Sequence, residues 1–204
     1  MTTLKMLREM ARDIGSYSRF DNIKYRKDYY DATKNHPITK KLTPDITEHK
    51  KCSDNKVVLS TNDHKTGECL YNSSISTRAK DHSPKRIEQD SVQRAKDSRL
   101  PKGYATDKIY EHFKSQELPL KSSDEQMKSG NKMWHRLVHR ALEDGHHVYH
   151  YDGSNLHKTN KANVNAHLAN YYGSDEKRTR FNPTPKDNNY ENKHMIISKK
   201  ELDV

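Results

Sequence analysis

Residues 86–116 read RIEQDSVQRAKDSRLPKGYATDKIYEHFKSQ, and this stretch determines how the rest of the chain is interpreted. Its first part, Arg86–Val92, has the composition of a strand. A basic loop then leads directly into Thr106–Gln116, where Ile109 and Phe113 recur at helical spacing. The stretch therefore predicts a strand, a loop and an amphipathic helix in immediate succession.

The turn between this loop and the helix has the features of a phosphate-binding site. Backbone N–H groups converge at a helix N-terminus, and the helix dipole favours negative charge there. Gly103 leaves room for a phosphate, Ala105 is small, and Lys102 adds a positive charge. Tyr104 and Thr106 complete the turn. The alternative, which the tripeptide alone favours, is that Gly103 simply begins a helix after a proline-containing loop.

Further elements are predicted on both sides of this stretch. Lys56–Ser60 and Glu68–Thr77 are rich in strand-forming residues and flank the turn-like residues 62–67, which predicts a hairpin. Downstream, the pattern predicts a short strand at Glu117–Ser122, a helix from a capping box at Ser123 and Gln126 through Trp134 to Gly145, a strand at His147–Tyr151, a helix at Ala162–Tyr172 and a strand at His194–Ser198.

The N-terminal part is less regular. Leu4–Ile14 shows apolar residues at helical spacing, which predicts a short amphipathic helix that ends near Gly15. Residues 17–51 are polar and rich in Tyr, and no period persists long enough to predict an element there. Residues 1–55 are therefore interpreted as an N-terminal helix and polar extension, and residues 56–204 as the main domain.

Composition limits the class of protein. Hydrophobic residues make up 30 % of the chain and charged residues 32 %, so we expect a thin core. The net charge of +10 favours polyanionic partners such as nucleic acid or a phosphate-bearing cofactor, although solubility alone would also explain it. Cys52 and Cys69 are too few for a disulfide scaffold, and no apolar run is long enough to span a membrane. We expect a soluble cytoplasmic protein.

The order of elements resembles that of a known family. A strand, a basic loop, Gly103-Tyr104-Ala105, an amphipathic helix, a strand and a second helix together resemble the GNAT superfamily of acetyl-CoA-dependent N-acetyltransferases. More narrowly, GYATDKIYEHF followed by LPLKSSDEQMKSGNKMWHRL resembles the divergent GNAT-type proteins of tailed bacteriophages. The resemblance is best between Lys102 and Leu137. It implies an α/β (α+β) fold with a mixed central sheet flanked by helices, and acetyl-CoA as the cofactor.

The resemblance also implies which residues bind that cofactor. The strand before the loop would supply backbone contacts to the pantetheine arm. The family motif Arg/Gln-x-x-Gly-x-Gly/Ala is met by Gly103 and Ala105, whereas Leu100 occupies the position of the Arg or Gln and Arg99 lies one residue away. The cofactor-binding residues expected on this basis are Val92, Arg99, Lys102, Gly103, Tyr104, Ala105 and Thr106.

Acetyl transfer to an amine also needs a base. Glu88 and Asp90 alternate along the predicted strand and therefore share one face, where they could act as the base or attract the amine. The alternative is a solvated sheet face, or ion pairs with Arg86 or Arg94. Trp134 stands where the family often has a Tyr acid, and we expect it to anchor the core, since an indole cannot act as that acid.

Two other groups of residues invite functional interpretations. His135 and His139 are four residues apart and three further His residues follow, but without an HExxH glutamate we expect a pH-sensitive basic face and no metal site. A set of cations and aromatic residues resembles a nucleic-acid surface, although an ordinary polar loop explains it equally well. This set comprises Lys158, Lys161, Tyr171, Tyr172, Lys177, Arg178, Arg180 and Phe181.

The sequence is consistent with three functions. The first is a GNAT-like N-acyltransferase of phage type that acetylates an amine. The second is a catalytically inactive phage protein of the same fold that acts in the virion or binds nucleic acid or a host protein. The third is a basic nucleic-acid-binding protein of unrelated fold, which a structure without a parallel splay beside the Arg86–Val92 strand would favour.

Overall fold

The computed structural model describes residues 22–78, 85–95, 99–122, 128–172 and 193–203. The predicted N-terminal helix at Leu4–Ile14 and the capping box at Ser123 and Gln126 lie outside these residues. The helices are α1 (Ile23–Thr33), α2 (Tyr104–Lys114), α3 (Lys128–Glu143) and α4 (Val164–Tyr172). The strands are β1 (Ile38–Lys41), β2 (Ile46–Ser53), β3 (Lys56–Asp63), β4 (Glu68–Arg78), β5 (Arg86–Arg94), β6 (Leu120–Lys121), β7 (His147–Tyr151), β8 (Leu156–Thr159) and β9 (His194–Ser198).

These elements make a mixed α+β protein with a large, mostly antiparallel sheet in the order β1-β2-β3-β4-β5-β6-β9-β7-β8. The mixed α/β class that the sequence predicts is confirmed at this level. The chain divides into two compact units, and β4 and β5 contribute residues to both. The first unit contains residues 22–74, 91–95 and 99–101, and the second contains residues 75–78, 85–90, 102–122, 128–172 and 193–203.

The first unit is built on the β2–β3 pair, whose antiparallel register runs from Ile46↔Asp63 to Ser53↔Lys56. The predicted hairpin is present, because the turn after β3 closes with the N–H of Gly67 donating to the carbonyl oxygen of Asp63 at 2.9 Å. Gly67 has a φ of +66°, a conformation that favours glycine. The hairpin is thus specified by local turn chemistry.

Helix α1, strand β1 and most of strand β2 lie in the segment, residues 17–51, where the sequence predicts no element. Asn22 caps α1 by accepting a hydrogen bond from the N–H of Lys24 at 2.9 Å. The helix packs on β3, where the Thr33 hydroxyl and the Asn62 side chain lie 3.2 Å apart. The polar packing of this unit explains why no apolar period is visible in the sequence.

The two cysteines of this unit have different surroundings. Cys52, near the end of β2, is exposed, whereas Cys69 on β4 is fully buried. The Cys69 thiol donates to the carbonyl oxygen of Tyr71 at 3.0 Å, and burial raises the pKa of this thiol to about 12. Cys69 therefore behaves as a small apolar residue of the core.

The second unit has an apolar core between its helices and strands. Strand β7 pairs antiparallel with both β8 and β9, and β9 pairs antiparallel with β6. Helix α3 packs against α2, α4, β7 and β9. The large side chains that are almost fully buried include Ile75, Ile87, Ile109, Tyr110, Phe113, Leu120, Trp134, Leu137 and Tyr149. Burial of these side chains is the main source of stability in this unit.

Most predicted elements of this unit are confirmed. The predicted strands His147–Tyr151 and His194–Ser198 coincide with β7 and β9. Helix α2 begins two residues before the predicted start, and α3 ends at Glu143, shortly before Gly145, whose φ is +79°. The predicted strand Glu117–Ser122 is reduced to the two residues of β6, because Pro119 has no N–H to donate to a ladder. Strand β8 is not predicted.

Candidate functional site

The β5–α2–β6 segment is a parallel crossover. Strands β5 and β6 pair in parallel through Ile87↔Leu120 and Glu88↔Lys121, and the N–H of Ile87 also donates to the carbonyl oxygen of Pro119 at 2.9 Å. The parallel pairing ends at Glu88↔Lys121, because β6 has only two residues whereas β5 continues to Arg94. Past Lys121 the chain stays with β9, as the N–H of Ser122 donates to the carbonyl oxygen of Met195 at 2.9 Å. The parallel pair is therefore short.

The turn that begins α2 depends on the backbone of Gly103. This residue is the N-cap, with a φ of +88° and a ψ of −8°, and the N–H of Asp107 donates to its carbonyl oxygen at 3.0 Å. A Cβ atom added there would lie 3.8 Å from Asp107 Oδ2, which is an ordinary contact. The left-handed backbone, more than a lack of space, therefore requires glycine at this position.

Charges around the first turn of α2 are balanced by α3. Asp107 would repel an anion near the helix start, but Arg140 Nη1 lies 2.7 Å from Asp107 Oδ1. Lys108 Nζ lies 2.8 Å from Glu111 Oε2 and 5.4 Å from the centre of the Tyr104 ring. The Asp107–Arg140 and Lys108–Glu111 pairs are each neutral overall. The helix dipole and the exposed Lys102 therefore make the start of α2 favourable to anions.

The structure brings together five of the seven expected cofactor-binding residues. Lys102, Gly103, Tyr104, Ala105 and Thr106 follow one another through the N-cap and first turn of α2, in the second unit. Tyr104 and Thr106 are buried, Gly103 and Ala105 are half-buried, and Lys102 is exposed. Of these five residues, Lys102 is therefore the one whose side chain is exposed to a ligand in solution.

The other two expected residues, Val92 and Arg99, belong to the first unit. Arg99 Nη1 donates to Asp63 Oδ2 at 2.7 Å, and Arg99 Nη2 donates to Glu68 Oε2 at 2.6 Å. Burial alone would raise the pKa of Asp63, but hydrogen bonds from Arg99 and from the N–H groups of Thr66 and Lys65 hold that pKa below its usual value. Arg99 thus links the two ends of the β3–β4 turn.

Leu100, which replaces the Arg or Gln of the family motif, is a core residue. Its exposed fraction is 3 %, and its carbonyl oxygen accepts a hydrogen bond from Arg94 Nη2 at 2.8 Å. The carbonyl oxygen of Pro101 lies 3.3 Å from the same Arg94 nitrogen. Leu100 therefore anchors the loop through apolar burial, where the family motif would place a cation or an amide.

The two expected catalytic carboxylates both lie next to Arg78 of β4. Arg78 Nη2 donates to Asp90 Oδ1 at 3.1 Å, and Arg78 Nε lies 3.8 Å from Glu88 Oε2. The hydroxyl of Ser76 also donates a hydrogen bond to Asp90. Glu88 is buried and Asp90 is half-buried. The carboxylates thus sit side by side, both in contact with the Arg78 guanidinium.

Lys121 of β6 is a further cation at this site that the sequence analysis did not identify. Its side chain is 9 % exposed, and its Nζ lies 3.5 Å from Glu88 Oε2, directly across the parallel pair. Arg86 Nε lies 4.0 Å from the same oxygen, as the ion-pair alternative anticipated. A charged residue inside a predicted strand is the signal that could have pointed to Lys121.

Trp134 lies in the core, as expected. It is fully buried, and its indole N–H donates to Gln89 Oε1 at 2.9 Å, which satisfies a buried side chain of β5. This contact joins α3 to the strand that carries Glu88 and Asp90. No local pattern in the sequence identifies Gln89, because its partner lies 45 residues away.

The histidines expected to form a solvated face are partly enclosed. Burial and His139 lower the pKa of His135, and His150 of β7 is 4 % exposed. Burial, together with His167 and His157, lowers the pKa of His150 to about 4. Among the described residues, no group of three or more His, Cys, Asp or Glu side chains is arranged to hold a metal ion.

The structure describes two side chains of the cation and aromatic set that resembles a nucleic-acid surface. Lys158 and Lys161 are exposed, and nothing is described of the side chains of the other six members.

Comparison of the chain with protein-family models, with curated proteins and with solved structures gave no match. Of the helices in the described part of the chain, none is long and apolar enough to span a membrane.

Proposed function

We propose that this protein is a GNAT-like N-acyltransferase of phage type that binds acetyl-CoA and transfers its acetyl group to an amine. The observation that supports this proposal is the parallel β5–α2–β6 crossover, with the left-handed Gly103 at the start of its helix. The parallel pairing of β6 with β5 supports a GNAT-like protein over a basic nucleic-acid-binding protein of unrelated fold. The expected position of the cofactor phosphates is the first turn of α2.

In this proposal each residue near the crossover has a defined role. The backbone around Gly103 and Ala105 faces the phosphates, and Lys102 adds a positive charge. The amine nitrogen attacks the thioester carbonyl carbon, the C–S bond breaks, and the thiolate leaves with a proton from water. Glu88 or Asp90 accepts the proton that the amine loses. Both carboxylates already contact Arg78, so a cationic substrate would compete with that side chain.

Cofactor binding is tested by calorimetry with acetyl-CoA and CoA. We expect saturable binding that Lys102→Glu weakens by roughly tenfold or more, because the substitution reverses a charge beside the phosphates. Lys132→Glu, which makes the same charge change on an exposed residue of α3, is the matched control and should bind as the parent protein does. Absence of binding at millimolar ligand, or an equal loss in both variants, would contradict the proposal.

A second candidate is a protein of the same fold that binds CoA without transferring the acetyl group. The contact of Arg78 with both carboxylates favours this candidate, since it occupies the groups that would serve as base. The two candidates differ in the release of free thiol from acetyl-CoA in the presence of a panel of amines. Thiol release that Asp90→Asn or Glu88→Gln lowers by roughly 10²-fold supports the enzyme. Tight binding without thiol release supports the second candidate.

A further inference from the structure

A chain of hydrogen bonds in the first unit links four side chains from three parts of the sequence. The Tyr30 hydroxyl at the end of α1 lies 3.1 Å from His64 Nδ1, and His64 Nε2 lies 2.6 Å from Thr47 Oγ1. Thr47 Oγ1 also lies 2.6 Å from His49 Nε2. The chain ends where His49 Nδ1 lies 2.8 Å from the backbone carbonyl oxygen of His36.

The direction of each hydrogen bond follows from the last one. A carbonyl oxygen can only accept, so His49 Nδ1 carries a proton, and in the tautomer protonated at Nδ1 the Nε2 atom accepts. The Thr47 hydroxyl must therefore donate its one proton to His49. Its oxygen then accepts from His64 Nε2–H, which leaves His64 Nδ1 as an acceptor for the Tyr30 hydroxyl. Every donor in the chain thus points away from Tyr30 and toward the backbone of His36.

The fold holds these groups in place. Thr47 and His49 are two residues apart on β2 and therefore project from the same face of the strand. Both are buried, at 3 % and 1 % exposed. The rings of Tyr30 and His64 meet edge to face, with their centres 5.7 Å apart. A buried pair thus fixes the orientation of His64, which lies at the surface.

This arrangement matches the requirements of an activated nucleophile. A hydroxyl gains reactivity when a base is positioned to take its proton and a further group orients that base. His64 Nδ1 is the base for Tyr30, and Thr47 and His49 are positioning residues for His64. Lys34 Nζ lies 5.8 Å from the centre of the Tyr30 ring, but it is also 2.7 Å from Asp31 Oδ1, so its charge is paired and the activation of Tyr30 rests on His64. Tyr30 is half-buried and His64 is exposed, so reagents in solution can reach the site.

We propose that Tyr30, His64, Thr47 and His49 form a reactive site in which the Tyr30 oxygen attacks activated carboxylic esters. The Tyr30 oxygen forms a bond to the ester carbonyl carbon, the bond from that carbon to the leaving alkoxide or phenolate breaks, and His64 Nδ1 accepts the hydroxyl proton. The product is an acyl ester of Tyr30. These residues are distinct from those of the proposed acetyl-CoA site, so the two proposals can fail independently.

The experiment uses p-nitrophenyl acetate with the full-length chain at neutral pH. Release of p-nitrophenolate gives the rate, and peptide mass mapping with hydroxylamine treatment separates tyrosyl esters from acetylated lysines. We expect one ester at Tyr30, formed faster than at Tyr25 on the same helix. Tyr30→Phe should abolish this ester, and His64→Gln should slow its formation by roughly 10²-fold. Tyr25→Phe is the matched control and should leave the ester at Tyr30 unchanged.

Two substitutions of Thr47 test the chain itself. Thr47→Ser keeps the hydroxyl and should retain the rate, whereas Thr47→Val has a similar shape without the hydroxyl and should lower the rate roughly tenfold. Circular dichroism checks that each variant folds. If Thr47→Val does not fold, the rate of ester formation in His64→Gln tests the proposal instead. His64 is exposed, so its replacement leaves the core intact. A Tyr30 ester that forms no faster than one at Tyr25, or equal rates in Thr47→Ser and Thr47→Val, would overturn the proposal.

Discussion

His150 couples the stability of the second unit to pH. The unfolded chain binds a proton at this residue near the ordinary pKa of 6.5, whereas burial, His167 and His157 lower the pKa of the folded protein to about 4. The unfolded state therefore binds more protons between these values. Stability is fully present above about pH 6.5 and is lost as the pH falls toward 4.

The expected loss from His150 is on the order of 3 kcal/mol, from the difference between the two pKa values. Urea unfolding at a series of pH values between 4.5 and 7 measures it. His150→Gln should flatten the fall in the free energy of unfolding over this range, because the amide does not titrate. A variant that loses stability as steeply as the parent protein would show that other groups dominate.

Gly103 is the residue at which a single methyl group tests the backbone conformation. Gly103→Ala should lower the free energy of unfolding by about 1–2 kcal/mol, since a left-handed φ is unfavourable for a residue with a Cβ. Gly103→Asn is the matched control and should cost less, because Asn tolerates this conformation better. Urea unfolding compares the variants. Equal stability of Gly103→Ala and the parent protein would contradict the left-handed N-cap.

At the scale of elements, the hydrogen bond between Trp134 and Gln89 links α3 to β5. Gln89→Leu should lower the free energy of unfolding by about 1–3 kcal/mol, because it leaves the buried indole N–H without its acceptor. Adding Trp134→Phe removes that donor and should recover part of the loss. Urea unfolding followed by circular dichroism gives the two single variants and the double variant. Losses that simply add would indicate that the hydrogen bond carries no coupling energy.

The elements that the sequence predicts are those whose signal is local. Strand β7 follows the stop at Gly145, and α2 follows Gly103 with apolar residues at helical spacing. Strand β2, with the sequence ITEHKKCS, is not predicted from the sequence, because its buried residues include the polar residues Thr47, Glu48 and His49 and therefore give no apolar pattern. The burial of Thr47 and His49 accompanies hydrogen bonds to residues distant in the chain, which no local period reveals.

The candidate sites likewise contain local features, which the sequence predicts, and contacts between distant residues, which it does not. The turn around Gly103 is visible in five consecutive residues, so the sequence could place it. The partners of Arg99 are 31 and 36 residues away, and the Tyr30–His64 contact spans 34 residues. Lys121 meets Glu88 because β6 is parallel to β5, and this pairing is a property of the topology. Contacts that depend on pairing between distant strands could not be derived from one sequence.

For the whole molecule, the net charge of +10 predicts attraction to polyanions. Strand β1 is exposed along its length and carries Lys40 and Lys41, which concentrate charge at one strand. We expect the Lys40→Glu/Lys41→Glu variant to elute from a heparin column at lower salt than Lys132→Glu/Lys161→Glu, which makes the same change in net charge at separated exposed positions. Identical elution would mean that net charge alone governs retention.

The contrast between Cys52 and Cys69 provides an intrinsic probe of how the protein opens. An exposed thiol reacts readily with a maleimide, while a buried thiol with a pKa of about 12 has almost no thiolate and no access to the reagent. Alkylation with a fluorescent maleimide should therefore modify Cys52 first, which places the fluorophore at one known position. The slow second modification, at Cys69, then reports the frequency with which β4 separates from its neighbours, so β4 opening can be timed without altering the sequence.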